Sequence, residues 1–413
     1  MISVEEALEV ILKSIQVLGL EKVDILSSLG RVLGEDVYAP YHIPPWDNSA
    51  MDGYAVIHKD IEHASSENPS ILKVVADLPA GYTYKKKLER GSALRIMTGA
   101  PIPKGSDTVV MVEDTQREGD QVKILKKLSP GENIRKAGED VRKGTLVLPS
   151  GSIIHPAEVG MLASLKRSFI SIYQRPTVAV ISTGDELIDV DGDFAEGKIV
   201  SSNTYSLASL VKDTGATPLI LGIAKDTPEE LKNKFKVALH ADMIISSGGV
   251  SVGEYDLVKD ILKELGAEMK FWKVAMRPGQ PLAFGVIEGK PTFGLPGNPV
   301  SCMISFEQFV RPSILKASGH KRIFRPLVEA RLKEPIKKKA DKKYFIRCII
   351  NVEDGMYTAT TTGEQGSGIL MSMVRANGLI VLPEEKTTFK TGEIVKVQLL
   401  NRGFELKENP EYY

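Results

Sequence analysis

The chain has 413 residues, of which 42% are hydrophobic and 26% charged, and its 53 Lys and Arg balance 53 Asp and Glu. This length exceeds a single hydrophobic core, so we expect roughly two to four domains, and the zero net charge excludes an overall field that favours nucleic acid or a membrane surface. No apolar run approaches the roughly 20 residues of a membrane span, and glutamates interrupt the N-terminal apolar residues where a signal peptide would need an unbroken run, so we expect a cytoplasmic protein.

The chain opens with a helix and continues into a β-rich segment. Ser3 and Glu6 have the spacing of a capping box at the start of an apolar pattern with helical period. Between residues 44 and 140, short β-type runs alternate with Gly, Pro and Asp loops, which predicts a small, mostly β domain. The runs are Tyr54–Ile57, Thr108–Val112 and Gln121–Leu125. His155–Leu165 then predicts a helix with proline in its first turn.

From about residue 175, strand-like and helix-like runs alternate. The predicted strands are Thr177–Ser182, Pro218–Ile223, Met243–Ser246, Lys270–Ala275 and Pro291–Gly294. The predicted helices are Thr204–Thr214, the segment opened by Thr227-Pro228-Glu229-Glu230, Leu257–Leu265 and Pro299–Ala317. This alternation predicts a doubly wound parallel sheet, in which ligands bind outside the carboxyl ends of the strands.

Beyond residue 323 the pattern returns to β. Asp354-Gly355 separates two strand-like runs and predicts a hairpin, and Ile394–Leu400 alternates as a half-buried strand. We therefore predict a small C-terminal barrel or sandwich. The predicted domains are 1–43 plus 141–174 as an elongated linking domain, 44–140 as a β-rich domain, 175–322 as an α/β domain and 323–413 as a β-barrel.

The loop after Met243–Ser246 has the composition of a phosphate-binding turn. It contains the donors Ser247 and Ser251 and the glycines Gly248, Gly249 and Gly253, and a helix-like run follows. Glycines allow backbone N–H groups to approach an anion, and a helix N-terminus adds a favourable dipole. A plain βα turn is the alternative, and no Lys-Ser/Thr follows, which excludes a Walker loop.

A second turn, Leu295-Pro296-Gly297-Asn298-Pro299, places an N-cap residue before a first-turn proline. It predicts either a well-capped helix alone or a second helix N-terminus for the same anion. Cys302 follows one turn later, and we interpret it as a buried small residue because no histidine lies nearby in sequence.

Carboxylates gather after three of the predicted strands. Glu186 follows the first strand, Asp226 the second and Asp256 the third. Acidic groups at one sheet edge raise one another's pKa unless a cation neutralises them. Mg²⁺ shared with substrate phosphates would satisfy this arrangement.

Two cations, Lys273 and Arg277, lie at the end of a fourth strand, where a solvated edge and an oxyanion site are both open interpretations. In the β-rich segment, Asp52, Thr98 and Asp140 lie on glycine-containing turns. Each is more often structural when considered alone, and a shared role requires that their loops converge.

Together these blocks resemble the MoeA / gephyrin E-domain family, the molybdopterin molybdenumtransferases. The strings that carry the resemblance are DNSAMDGYAV, RIMTGAPIPKGSDTVVMVED, GENIRKAGED, STGDEL, SSGGVSVGEYD and LPGNPVS. They occur in family order and span nearly the whole chain. The resemblance implies a MogA-like α/β domain that binds a pterin dithiolene, and a homodimer whose active cleft is completed by the partner's β-rich domain.

The implied reaction is insertion of molybdate, or tungstate, into adenylyl-molybdopterin with release of AMP. Contact with the molybdopterin adenylyltransferase is a further implied partnership. Six positions match family residues needed for activity: Asp52, Thr98, Asp140, Glu186, Asp226 and Asp256. Lys273 matches a family oxyanion-binding residue, while Arg277 and Gln280 replace lysines of the bacterial pattern. Adenylyl transfer and a non-catalytic scaffold remain the alternative functions.

Overall fold

The computed structural model describes residues 1–249 and 257–406. Within them the chain forms two compact units. The first comprises residues 1–22, 30–34 and 171 onward, and the second residues 23–29 and 35–170. The four domain boundaries predicted from sequence stay predictions. Among the described residues, every helix is too short or too polar to cross a bilayer.

The first unit contains a six-stranded α/β sheet. Its strands, in spatial order, are Thr217–Ala224, Thr177–Thr183, Met243–Ser247, Lys290–Leu295, Pro281–Ile287 and Glu268–Lys273. The first four strands are parallel, and the last two form antiparallel pairings. The sheet is therefore mixed: Pro281–Ile287 runs against the other five strands, which share one direction and correspond to the five strands predicted from sequence.

The antiparallel edge comes from a hairpin that the sequence pattern did not reveal. Pro281–Ile287 returns into Lys290–Leu295 through Glu288 and Gly289, whose φ angles are +48° and +77°. The central strands are buried on both faces. Val178, Val180 and Ile245 belong to the core on one face, and Ala179, Ile181 and Ile244 belong to the core on the other. Buried strands of this kind are apolar on both faces because helices cover both.

Helices cover the two faces of this sheet separately. Val4–Ser14, Ser202–Asp213 and the helical stretch 299–317 bury apolar residues in one core, while Pro228–Ala238 and Leu257–Glu264 bury theirs in the other. The predicted capping box of the first helix is present: Ser3 and Glu6 exchange hydrogen bonds between side chain and backbone. The doubly wound α/β architecture is thus confirmed.

The stretch 299–317 is a single helical run with a local change of pitch. It comprises the α-helix Pro299–Ser305, the π-helical turn Phe306–Val310 and the α-helix Arg311–Ala317. The remaining helices are Pro156–Ser164 and Met371–Arg375, with 3₁₀ turns at His58–Asp60, Val112–Asp114 and Gly403–Glu405.

The C-terminal part of the first unit is a closed five-stranded barrel. In order around the barrel, its strands are Lys343–Glu353, Met356–Thr361, Leu327–Leu332, Ile394–Leu399 and Gly378–Leu382, which returns to the first. The predicted hairpin is present, with Asp354 at φ +49° and Gly355 at φ +74° as its turn. A short strand, Met276–Arg277, joins Lys343–Tyr344 in parallel.

The second unit is built on a six-stranded β-sheet, as predicted. Its strands, in spatial order, are Thr108–Met111, Gly53–Val56, Ser92–Ile96, Ser70–Leu78, Gln121–Ile124 and Thr115–Glu118. Apolar clusters cover it on two sides, one around Val56 and Val110 and the other around Ala55 and Leu94. Among the described residues, five two-stranded pairings occur besides the larger sheets: Leu20–Asp24 with Phe169–Tyr173, Val37–Tyr38 with Leu146–Leu148, Asn48–Ser49 with Ile134–Arg135, Leu187–Ile188 with Ile199–Val200, and Ile336–Lys337 with Thr388–Phe389.

Candidate active site

A cavity of about 450 Å³ opens at the carboxyl ends of the parallel strands of the α/β sheet. The strand Thr177–Thr183 lies between Thr217–Ala224, which follows it in the chain, and Met243–Ser247, which comes next. The strand order therefore reverses at this point, and such a switch point creates a crevice between neighbouring strand ends. The cavity is lined by residues 183–184, 186–187, 199–203, 226, 247–249, 281 and 296–299.

The cavity floor depends on two adjacent glycines. Gly248 and Gly249 have φ angles of +93° and +64°. A Cβ on Gly248 would lie 2.5 Å from the Thr183 carbonyl oxygen, and one on Gly249 would lie 2.4 Å from Val258 Cγ2. Both the backbone conformation and the close packing therefore require glycine.

The hydrogen bonds of this loop refine its predicted role. The Gly248 N–H donates to the Leu295 carbonyl at 3.1 Å, so it is occupied by the fold itself. Within the described part of the chain, the N–H groups of Gly249, Gly297 and Asn298 have no hydrogen-bond partner. Gly249, Gly297 and Asn298 therefore offer N–H groups that can hold an anion.

The Leu295–Pro299 turn faces the glycine pair at close range. A Cβ on Gly297 would lie 3.7 Å from Gly248 Cα, so the two predicted loops meet as expected. Asn298 occupies the N-cap position, but its side chain makes no capping hydrogen bond and lines the cavity instead. Cys302 is buried, and burial raises the pKa of its thiol to about 12, which confirms its interpretation as a buried, unreactive residue.

Sequence reasoning missed one wall of the cavity, formed by Ser201, Ser202 and Asn203. We predicted that the helix begins at Thr204, whereas it spans Ser202–Asp213 and presents its N-terminal turn to the cavity. The signal was present in the run Ser201-Ser202-Asn203, because all three are N-cap residue types. Asn203 connects this wall to the other two: its Nδ2 donates to Ser247 Oγ at 2.7 Å and to the Gly297 carbonyl at 2.8 Å.

Two of the predicted acidic residues, Glu186 and Asp226, line the same cavity. Burial raises the pKa of Asp226, and the negative charges of Asp185 and Glu186 raise it further. The Asp226 N–H donates to Asp185 Oδ1 at 3.1 Å, which holds the ends of their two strands together. Like negative charges therefore lie near one another at this edge of the sheet.

These two carboxylates fit the requirements of Mg²⁺. The ion is bound in proteins by one or two carboxylates together with substrate phosphates and water, and a cation here would relieve the repulsion that raises the pKa of Asp226. Within residues 1–249 and 257–406, no three His, Cys, Asp or Glu side chains are grouped to hold a metal. Asp256, the third predicted ligand, lies outside the described residues, as do Ser251 and Gly253.

Lys273 and Arg277 do not line this cavity. Lys273 ends its strand opposite Pro281, which does line the cavity, so it lies at the same sheet edge. Arg277 instead borders a second cavity of about 510 Å³ against the barrel, and its guanidinium lies 5.8 Å from the Tyr344 ring centroid. Further cationic side chains line that cavity: Lys337, Lys338, Lys339 and Arg347.

In the second unit, the predicted convergence of loops is largely present. The N–H and hydroxyl of Thr98 donate to Asp52 Oδ1 at 2.7 and 2.8 Å, and these hydrogen bonds lower the pKa of Asp52. Asp47 ties the same loop to the 136–140 turn, since its carboxylate accepts from the Ala137 N–H and from Lys136 Nζ. Asp140 lies on that turn, where its N–H donates to the Ile43 carbonyl.

Comparisons with known proteins agree with this architecture. The family model for the MoeA N-terminal region (domain I and II) matches residues 2–165, that for a probable molybdopterin binding domain matches residues 179–316, and that for the MoeA C-terminal region (domain IV) matches residues 329–400. The molybdopterin molybdenumtransferase of Nostoc sp. is 41% identical over 383 residues, which cover 91% of this chain and 88% of that protein.

More distant relatives show the same full-length correspondence. The molybdopterin molybdenumtransferase of Staphylococcus aureus (strain COL) is 36% identical over 402 residues, covering 96% of this chain and 95% of that protein. A crystal structure of the molybdopterin biosynthesis MoeA protein from Pyrococcus horikoshii has a TM-score of 0.84 and 33% identity, covering 97% of this chain and 100% of that one. The chain belongs to the MoeA family.

Proposed function

We propose that the protein is a molybdopterin molybdenumtransferase that inserts molybdate into adenylyl-molybdopterin and releases AMP. The observation that carries the proposal is the cavity at the switch point, which is lined by the two carboxylates Glu186 and Asp226 and by N–H groups without a hydrogen-bond partner in the described structure. The MoeA N- and C-terminal family regions flank the molybdopterin-binding region, which favours this activity over adenylyl transfer by an α/β domain alone.

Different residues of the cavity serve phosphate binding and hydrolysis. The N–H groups of Gly249, Gly297 and Asn298 hold phosphate oxygens, because unpaired donors in a confined site bind anions strongly. Hydrolysis forms a new P–O bond to a water oxygen while the bridging P–O bond of the adenylyl group breaks. Glu186 and Asp226 orient that water or hold Mg²⁺. When bound, Mg²⁺ would neutralise charge on the phosphate oxygens.

Molybdate capture requires cations near the pterin sulfurs. We assign this step to Lys273 at the sheet edge and to Arg277 in the second cavity. The surrounding Lys337 and Lys339 support the assignment, since a tetrahedral dianion is attracted by a concentration of positive charge. Arg277 presents a planar fork suited to oxyanions. Tungstate has the same charge and shape, so the assay should include both oxyanions.

We also propose a cytoplasmic homodimer with a shared active site. Asp52, Thr98 and Asp140 are exposed and line neither of the two cavities, so a role in catalysis requires another surface to face them. A partner subunit would provide that surface. The two cysteines, Cys302 and Cys348, are free and buried, which suits the reducing conditions of the cytoplasm.

The activity can be tested by following AMP release from adenylyl-molybdopterin with Mg²⁺ and molybdate. We expect Asp226→Asn to reduce the rate by about 100-fold or more, the scale of losing one group that stabilises or positions the reacting phosphate. Asp260→Asn is the matched control, because Asp260 is an exposed carboxylate on the Leu257–Glu264 helix away from the cavity lining. Full turnover by the Asp226 variant would refute the assignment, and no AMP release by the unmodified protein would refute the function.

A further inference from the structure

The cavity wall formed by Ser201, Ser202 and Asn203 contains a buried side-chain amide. Its nitrogen makes two hydrogen bonds and its oxygen makes none within the described structure. Asn203 is only 9% exposed, and both hydrogens of its Nδ2 are used. Its Oδ1 is buried and has no partner within the described structure. A buried carbonyl oxygen of this kind nearly always has a donor, so its isolation beside a substrate cavity points to a donor supplied by a ligand.

The orientation of the amide is fixed by its neighbours. The Gly297 carbonyl can only accept a hydrogen bond, so the nitrogen of the Asn203 amide must face it and the oxygen must face away. The second Nδ2 hydrogen reaches Ser247 Oγ, and the Ser247 hydroxyl in turn donates to the Pro296 carbonyl at 3.5 Å. The amide therefore cannot flip without losing its bond to the Leu295–Pro299 turn.

The same network sets the spacing of the three cavity walls. Asn203 belongs to the first turn of the Ser202–Asp213 helix, Ser247 ends a parallel strand, and Gly297 belongs to the turn before the 299–317 helical stretch. Each hydrogen bond of Asn203 Nδ2 thus joins two walls. The free Oδ1 is held at a defined place among residues that line the cavity.

We propose that Asn203 determines specificity by accepting, through Oδ1, a hydrogen bond from an N–H of the pterin ring. This inference rests on the proposed function and adds to it that this cavity wall recognises the pterin ring of the substrate. Phosphate has no N–H, whereas the pyrimidine edge of a pterin carries several, so an acceptor here recognises the ring and leaves the anion to the backbone donors. A site built for a hydrogen bond discriminates strongly against analogues that lack it.

The test measures the affinity of two probes by calorimetric titration. One is a tetrahydropterin that carries a phosphate on its side chain, and the other is the same compound methylated on its pyrimidine nitrogens. We expect the wild-type protein to prefer the unmethylated probe by roughly 10- to 100-fold. In Asn203→Leu, which has similar volume but no acceptor, we expect the preference to fall to less than about threefold. A merely structural role would weaken both probes equally and preserve the ratio.

Thr204→Val is the matched control. Thr204 is the next residue of the same helix turn, and its buried hydroxyl bonds to Ser182 and Ser201 without lining the cavity. Loss of this hydroxyl should lower the melting temperature of the protein and leave its preference between the two probes unchanged. Asn203→Asp keeps an acceptor oxygen, so it should retain the preference at lower affinity. If Asn203→Leu does not fold, Asn203→Ala, which also removes the acceptor, carries the test, and it should lose the preference in the same way.

The outcomes separate this inference from the proposed function. Binding of neither probe nor of adenylyl-molybdopterin by the wild-type protein would contradict the function itself. Binding with no preference between probes, or a preference that Asn203→Leu preserves, would overturn the role of Asn203 while leaving the function standing.

Discussion

At Gly248 and Gly249, the shape of the cavity depends on backbone conformation rather than on side chains. Both have positive φ angles, and both lie against atoms of neighbouring strands and helices. The sequence pattern predicted a tight turn here because adjacent glycines follow a buried strand. It did not predict that Gly248 would use its N–H within the fold, since that bond comes from Leu295, which lies far away in the chain.

Substitution of Gly248 should therefore damage both the fold and the cavity. We expect Gly248→Ala to destabilise the protein by more than about 2 kcal/mol, because strain from positive φ adds to a contact with a backbone oxygen. The measurement is the midpoint of urea unfolding. Gly289→Ala is the control: Gly289 has φ +77° but open space around its Cβ position, so about 1 kcal/mol is expected. Equal losses in the two variants would contradict the packing argument.

The Asp52 carboxylate gives a second prediction at this scale. Two hydrogen bonds from Thr98 lower the pKa of Asp52: the larger effect comes from the Thr98 N–H and a smaller one from its hydroxyl. We expect Thr98→Val to raise that pKa towards its ordinary value and Thr98→Ser to leave it lowered, as measured by NMR titration of the carboxyl carbon. A depressed carboxylate pKa stabilises the fold above the unfolded pKa, and this contribution is lost as the pH falls through the folded value. No difference between the two variants would show that the hydroxyl contributes nothing.

The elements that the sequence predicted best were those whose pattern is local. The parallel strands were visible as continuous apolar runs, and the Asp354-Gly355 hairpin was visible through its turn residues. Pro281–Ile287 was missed because its proline and its glycine resemble a loop, although the pairing with Lys290–Leu295 makes it a strand. The start at Ser202 was missed because Asn203 is stabilised by distant partners, which no local pattern records.

The π-helical turn Phe306–Val310 contains a buried ion pair that we predict to be important for stability. Glu307 accepts two hydrogen bonds from Arg325, at 2.7 and 3.0 Å, with side chains 5% and 16% exposed. Removing Arg325 leaves the buried Glu307 carboxylate with the longer 3.9 Å pair to Arg311, so Arg325→Met should cost up to about 3 kcal/mol in urea unfolding.

The double variant Glu307→Gln/Arg325→Met tests the cause of that loss. It should recover part of the stability because the poorly paired Glu307 carboxylate is then gone, although Arg311 keeps its charge. As a control, Glu9→Gln breaks an exposed pair with Lys13 and should change stability by less than about 0.5 kcal/mol. If the stability loss of the double variant equals the sum of the losses of Glu307→Gln and Arg325→Met measured singly, the unpaired-charge explanation is wrong.

For the molecule as a whole, the two compact units carry separate parts of the predicted catalytic set. Glu186 and Asp226 lie in the first unit, and Asp52, Thr98 and Asp140 lie in the second. The sequence identified both groups through blocks that occur in family order. It could not show which residues share a cavity, because that depends on strand order: Arg277 lines the second cavity, whereas Glu186 and Asp226 line the first.

A shared active site predicts that two inactive variants complement each other. Asp52→Ala and Asp226→Ala should each be inactive alone. After subunit exchange in a symmetric dimer, half of the sites in each mixed dimer would be intact, so the mixture should recover about one quarter of wild-type AMP release. Absence of any recovery, with exchange verified by mass, would place both residues of an active site in the same chain.

The cavity at the switch point should hold the substrate phosphates, and a crystal structure of Asp226→Asn with adenylyl-molybdopterin would show where they bind. We expect a phosphate oxygen within about 3.2 Å of the Gly249, Gly297 or Asn298 nitrogen. A ligand bound with its phosphates outside this cavity would rule out this binding site.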